Sequence, residues 1–290
     1  LSKGKHLLLT SIRSIEGMKH ELHCSNKSVS LVDGDWRHFF SSVKIDLENA
    51  TVMASSCLVI CITQTLLYSL VLRTKKWSST QWVPPSDENA SLVLAWNKLY
   101  AFGGRFPAAG AKLVSSTGLG VVKWTKKASL KRGVMKPCVV HFTKQCNKVY
   151  VIGGTNRYGA SFATQEIDLE SSHCSMRRDI PLPCIEASAT ALDDKIYVVN
   201  RENRECLSFA PANSAWTILQ RPTRPMPSLA DGVHHPSLVP WKGGILLVEG
   251  TQVEKYDPSK EEWTPHDELF TTLKEPSGCV RHVLSVIPFS

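Results

Sequence analysis

The segments NKLYAFGG, residues 97 to 104, and NKVYVIGG, residues 147 to 154, are near copies of one another about 50 positions apart. A repeat of that period outranks every local motif, because each copy is then one supersecondary unit that cannot bury its apolar face alone. DKIYVVNR at 194 to 201 and GGILLVEG at 243 to 250 are weaker copies, and the register extends backwards to CLVICIT and HLLLTSI. Downstream of each copy stands a tryptophan or its stand-in: Trp36, Trp77, Trp124, Cys174, Trp216 and Trp263. The chain therefore reads as six units.

Within a unit the pattern is that of four short strands. In HPSLVPWKGGILLVEGTQVEKYDPSKEEWTP, apolar runs are separated by Gly, Pro, Asp and Ser turns. Tyr256 precedes Trp263 by seven positions, and the same spacing links Phe209 to Trp216, Ile167 to Cys174, Leu70 to Trp77 and Val29 to Trp36. A bulky residue on a third strand and a tryptophan on a fourth supply a large apolar body for packing between sheets. Helical periodicity is nowhere sustained, so the expected class is all-β. CLVICITQTLLYSLVL, residues 57 to 72, is shorter than the roughly 20 residues of a membrane helix and is expected to form two strands around a tight turn.

Four-stranded sheets repeated radially make a propeller, which leaves few strand edges exposed if the ring closes. The ends of the chain fit closure: the first unit lacks its innermost strand, whereas CVRHVLSVIPF, residues 279 to 289, is a surplus strand. Pairing it into the N-terminal blade completes six.

An apolar run ending in a glycine pair, then an aromatic residue and a tryptophan, resembles the Kelch repeat over essentially the whole chain. Gly103, Gly104, Gly153 and Gly154 match the family's glycine pair, whereas Val199 with Asn200, Glu249 with Gly250, and Cys61 with Ile62 depart from it. The resemblance implies a single Kelch propeller over 1–290, with blade 1 at 1–47 plus 279–289, blade 2 at 48–85, blade 3 at 86–133, blade 4 at 134–183, blade 5 at 184–227 and blade 6 at 228–276. Six blades closed by a C-terminal strand look most like the Kelch domains of BTB-Kelch proteins. That likeness implies a substrate receptor recruiting a target protein to a cullin-RING ubiquitin ligase, through a BTB region outside this chain that also makes the dimer. The alternatives are a non-degradative cytoskeletal or scaffolding Kelch protein and, remotely, a Kelch-type copper oxidase.

In that architecture the loops joining second to third strands gather on one face, where binding residues usually sit. Arg13 follows HLLLTSI, Arg105 follows AFGG, Arg157 follows VIGGTN, and Arg201 and Arg204 follow IYVV. Guanidinium groups suit carboxylates and phosphates, so this series reads either as a pocket for an acidic or phosphorylated protein segment or as ordinary surface arginine. Phe106, Asn156 and Tyr158 share two of these loops and join the candidate partner-binding residues. SIRSIEGMKHELHCSN, with Met18 and His20, and RPTRPMPSLADGVHH are expected to overhang the same face.

GTNRYGAS, residues 154 to 161, nearly spells a phosphate-binding loop. Ala160 stands where the lysine belongs, and SFATQEIDL after it alternates as a strand instead of starting the helix such a loop needs. No HExxH, paired carboxylates or GxSxG elbow appears, and the adjacent His234 and His235 suit a joint metal site poorly. The expectation is a non-catalytic protein with no cofactor and no metal.

Nine cysteines with no CxxC pair read as core hydrophobes in a reducing cytoplasmic or nuclear compartment. The chain opens on Leu1 and is expected to be part of a longer protein. Of the net charge of +8, the one concentrated stretch is KWTKKASLKRGVMK, residues 123 to 136, which reads as a solvated outer face or as a docking surface for an acidic partner. Neither a membrane nor a specific nucleic acid is expected as a partner.

Overall fold

A computed structural model describes residues 5–15, 19–28, 36–45, 51–54, 58–62, 66–71, 76–81, 89–96, 98–104, 112–118, 124–145, 147–225, 236–249, 252–266 and 279–288. The chain divides into two compact units, one of residues 1–83, 224–257 and 264–290, the other of 84–223 and 258–263. Among the described residues the sole helical segment is one 3-10 turn, Thr143–Gln145.

Three four-stranded antiparallel sheets follow one another in the second unit. They are β8 Ser91–Ala95, β9 Lys98–Phe102, β10 Leu113–Gly118 and β11 Thr125–Ser129; then β12 Cys138–Phe142, β13 Lys148–Ile152, β16 Thr164–Asp168 and β17 Cys174–Met176; then β18 Ser188–Leu192, β19 Lys195–Val199, β20 Cys206–Ala210 and β21 Ala215–Leu219. Each is built in chain order, as short connections between antiparallel strands require. The first strands β8, β12 and β18 lie side by side.

The middle sheet shows why its second strand reads as a continuous apolar run. Val149 and Val151 join Tyr100, Phe102, Val114 and Ile167 in one core cluster, whereas Tyr150 and Ile152 join Phe142, Ile196, Val198 and Phe209 in another. Alternate side chains of β13 thus leave both faces of the sheet for apolar partners on the two flanking sheets. A strand buried on one face alone would have alternated with polar residues.

The spacing of seven is a cross-strand register. Phe209 lies opposite Trp216, Ile167 opposite Cys174, and Leu70 opposite Trp77. The Phe209 and Trp216 rings meet at 4.8 Å. Trp216 donates its indole N–H to the Arg178 carbonyl at 3.0 Å, and Trp263 donates in the same way to the Gln220 carbonyl at 2.9 Å. Trp216 therefore fills space beside its own third strand, and both tryptophans fix the end of the preceding fourth strand by a directed bond.

In the first unit β4 Thr51–Ala54, β5 Leu58–Ile62, β6 Leu66–Val71 and β7 Lys76–Gln81 form a sheet, with β5 and β6 drawn from the apolar stretch read as two strands around a turn. A second sheet has the order β22 Ser237–Trp241, β23 Gly244–Glu249, β24 Gln252–Asp257 and β25 Glu262–Pro265, of which Glu262 and Trp263 are counted with the second unit. The third has the order β26-β1-β2-β3, in which β26 Cys279–Pro288 pairs antiparallel along β1 Lys5–Ile15, beside β2 Lys19–Ser28 and β3 Trp36–Ile45. The last strand of the chain thus belongs to the first sheet, and β26 lies next to β22 and β4. SIRSIEGMKHELHCSN is largely hairpin and not an overhanging loop: Ser14 pairs with His20 and Arg13 with Glu21. Met18 lies outside the described residues.

Candidate functional site

The glycine pairs set how closely neighbouring sheets approach. Gly103 and Gly104 have φ of 76° and 138°, and Gly153 and Gly154 have φ of 63° and 79°. A Cβ on Gly103 would collide with the Val134 carbonyl oxygen, and one on Gly153 with that of Cys184. The amides of Gly104 and Gly154 donate to those same carbonyls, at 3.1 and 2.8 Å. Both the left-handed backbone and the absent side chain are needed for this contact.

That contact brings two kinds of loop to one end of the second unit: those after second strands, from 103, 153 and 200, and those entering first strands, at 131–137 and 178–187. Met135 and Thr155 exchange backbone hydrogen bonds at 2.8 and 2.9 Å, and Asn200 donates its side-chain amide to the Pro183 carbonyl at 2.8 Å. From Thr155 rises a small hairpin, β14 Thr155–Asn156 and β15 Gly159–Ala160, with Arg157 and Tyr158 at its tip. The Asn156 side-chain oxygen accepts the Tyr158 amide at 2.8 Å, and the Arg157 guanidinium lies 4.6 Å from the Tyr158 ring centroid. Tyr158 is 82% exposed, the most exposed large hydrophobic side chain among the described residues. GTNRYGAS is therefore the second glycine of the pair followed by the hairpin, and it leads into the strand β16 rather than into a helix for a phosphate.

The other candidates fall in different surroundings. Arg201 is only 17% exposed and bonds the Glu186 carboxylate at 2.7 Å, and Lys136 bonds the other oxygen of that carboxylate at 3.1 Å. Hydrogen bonding from Lys136, then the charges of Lys136 and Arg201, hold Glu186 below its ordinary range against partial burial. Arg204 is buried, with φ of 54°. Arg13 sits within β1 at a register shift against β26, not in a loop. Arg105 and Phe106 lie outside the described residues, as do His234 and His235.

The basic stretch is partly accounted for by internal acids. Arg132 pairs with Asp179 at 2.9 Å and Lys136 with Glu186, whereas Lys126 and Lys127 lie on β11, an edge of its sheet. Gln165 clamps the Arg132 backbone with its side-chain amide, accepting from the N–H at 2.9 Å and donating to the carbonyl at 3.0 Å. Exposed pairs of this kind contribute less than about 1 kcal/mol each.

Two clusters were not singled out in the sequence. Lys136 and Glu186 each stand two residues before a first strand, in VMKPC and CIEAS, a correspondence visible once the repeat is aligned. The second cluster centres on Glu166, whose carboxylate is bonded by the Tyr150 hydroxyl at 2.6 Å, by Arg177 at 2.7 Å and by Lys148. Burial pushes this carboxyl up, but the bonds from Lys148, Tyr150 and Arg177 outweigh it and hold it below its ordinary 4.5. Burial and the bond to Glu166 push the Tyr150 phenol up.

No group of three or more His, Cys, Asp or Glu side chains among the described residues is arranged to hold a metal ion, and no helix among them is long and apolar enough to cross a membrane. No protein-family model matches the chain, and no curated protein matches it.

Proposed function

We propose that the chain is a six-bladed Kelch propeller acting as a protein-recognition module, the substrate receptor of a BTB-Kelch adaptor that recruits a target to a cullin-RING ubiquitin ligase. The observation that carries the recognition role is the β14–β15 hairpin, which holds Arg157 stacked on an 82%-exposed Tyr158 at the loop end of the second unit. Arginine and tyrosine are both enriched at binding hot spots, and the Tyr158 ring is left open to solvent. The propeller reading is supported by successive four-stranded antiparallel sheets, by glycine pairs that let neighbouring sheets touch, and by the pairing of β26 with β1. The ligase role follows from the resemblance of the repeat, and with it a cullin scaffold, a dimer through the BTB region and a cytoplasmic or nuclear location.

The partner segment on this reading is acidic or phosphorylated, because guanidinium recognises both groups by paired, charge-assisted hydrogen bonds. The test is co-purification of the full-length protein with a cullin, beside an Arg105→Ala/Arg157→Ala variant. The full-length protein is expected to bind the cullin, and the variant to keep the cullin and lose the target. Cullin binding with target binding unchanged in the variant refutes the arginine face, and target binding without a cullin makes the protein a scaffold.

A further inference from the structure

Among the described residues, Glu186 holds an arrangement that the other ion pairs between sheets do not. Arg132 with Asp179 and Lys144 with Asp194 are single cations on single acids, whereas the Glu186 carboxylate bridges two cations from two sheets, Lys136 ahead of β12 and Arg201 after β19. Two cations around one carboxylate leave a net positive charge. Lys136 and Glu186 also share a backbone peculiarity, with φ of 45° and 51°, a left-handed conformation that long side chains seldom adopt. Strained positions of this kind concentrate where a structure switches or binds.

The cluster is joined to the recognition hairpin on both sides. Met135, beside Lys136, bonds Thr155 at the base of the hairpin, and Gly154 bonds Cys184, two residues before Glu186. The carboxylate remains within reach of solvent, since the Glu186 side chain is 33% exposed and that of Lys136 is 51% exposed. Ion pairs exposed to this degree contribute little to folding and exchange readily for an equivalent partner.

We propose that Glu186 is a built-in competitor for the partner: its carboxylate occupies, between Lys136 and Arg201, the place that a carboxylate of a bound protein segment takes on engagement. On binding, the incoming carboxylate accepts the hydrogen bonds of Arg201 and Lys136, and Glu186 turns out to solvent. This inference rests on the reading that the loop end binds an acidic segment, and it makes the strength of that binding a property set within the chain. Weak acidic segments fail to displace Glu186, and only those with contacts elsewhere, as on Tyr158, succeed.

The test is calorimetric titration of the 290-residue chain with a synthetic peptide of alternating glutamate and glycine. Glu186→Gln keeps the shape of the side chain and removes the charge, and it is expected to bind the peptide about tenfold tighter than the parent chain. Adding Arg201→Gln is expected to abolish the gain. Glu186→Ala serves as a second variant, with thermal melting confirming that each stays folded. A Glu186→Gln chain that melts normally and binds no tighter overturns the proposal. If Arg157→Ala still weakens the parent chain's binding, the acidic-segment reading survives that result, whereas an absence of peptide binding in every variant removes both.

Discussion

Gly153 leaves no room for a side chain, since its φ of 63° and the Cys184 carbonyl beside it both act against one. Gly153→Ala is expected to destabilise the second unit by about 3 kcal/mol, from left-handed strain and a displaced sheet contact together, as read by urea unfolding. Glu166 makes the opposite kind of contribution, through charge. Its folded carboxyl is held below its ordinary 4.5, so its contribution is fully present above that value and is lost as pH falls through the lower folded value. Glu166→Gln is expected to cost about 3 kcal/mol at neutral pH, because Lys148 and Arg177 lose a carboxylate that is only 6% exposed, and to flatten the fall in stability below pH 4.5. A urea midpoint that moves with pH as steeply in the variant as in the parent contradicts this assignment. At this scale the glycine pairs were legible, since only glycine meets both demands, and Arg157 and Tyr158 were placed at a loop tip. The partners of Arg201 and the burial of Arg204 were not, because a loop sequence does not say which side chain turns inward.

At the level of the element, the seven-residue spacing of Phe209 and Trp216, of Ile167 and Cys174, and of Leu70 and Trp77 becomes a directly opposed pair on third and fourth strands. Trp263 is buried and bonded to the Gln220 carbonyl. Trp263→Ala is expected to cost about 4 kcal/mol, and Trp263→Phe only about 1 to 2, since the ring volume is largely kept while the bond is lost and the Gln220 carbonyl loses its donor. Equal losses in the two variants, measured by chemical denaturation, would show that the indole N–H rather than the volume is what matters. Strand identity was readable because apolar runs, turn residues and the absence of helical periodicity agreed, and because β13 buries both faces its run is unbroken. The first hairpin misled: Lys19–Ser28 carries histidine, glutamate, asparagine and lysine and reads as loop, yet backbone pairing with β1 and β3 makes it a strand. Local composition cannot report a pairing supplied by the neighbouring strands.

For the whole molecule, the order β26-β1-β2-β3 ties the two ends of the chain into one sheet. A chain ending at residue 278 is expected to expose the full edge of β1 and to aggregate, measured by light scattering, because a long unpaired edge templates further strands. A monomeric truncated chain with unchanged melting of the first unit contradicts that role for β26. Cysteines give a separate report on the second unit, since Cys138, Cys174, Cys184 and Cys206 all lie in it and are buried. Burial pushes their thiols up, Cys184 and Cys206 to about 12, so native alkylation at pH 8 is expected to be slow and to follow unfolding of that unit. The succession of four-stranded antiparallel sheets was visible in the sequence because packing fixes the spacing of the apolar runs, whereas the partner of the proposed function was not, because a loop end is specified by side-chain arrangement and carries no motif. The recognition role is therefore tested most directly by quantitative affinity capture with the parent chain, an Arg157→Ala/Tyr158→Ala variant, and a Trp96→Ala variant altered at the half-exposed turn between β8 and β9, the far end of β9 from its glycine pair. Selective loss of the captured partner from the Arg157→Ala/Tyr158→Ala chain, with full retention by Trp96→Ala, is the predicted result; equal capture by all three chains, or loss only with Trp96→Ala, contradicts it.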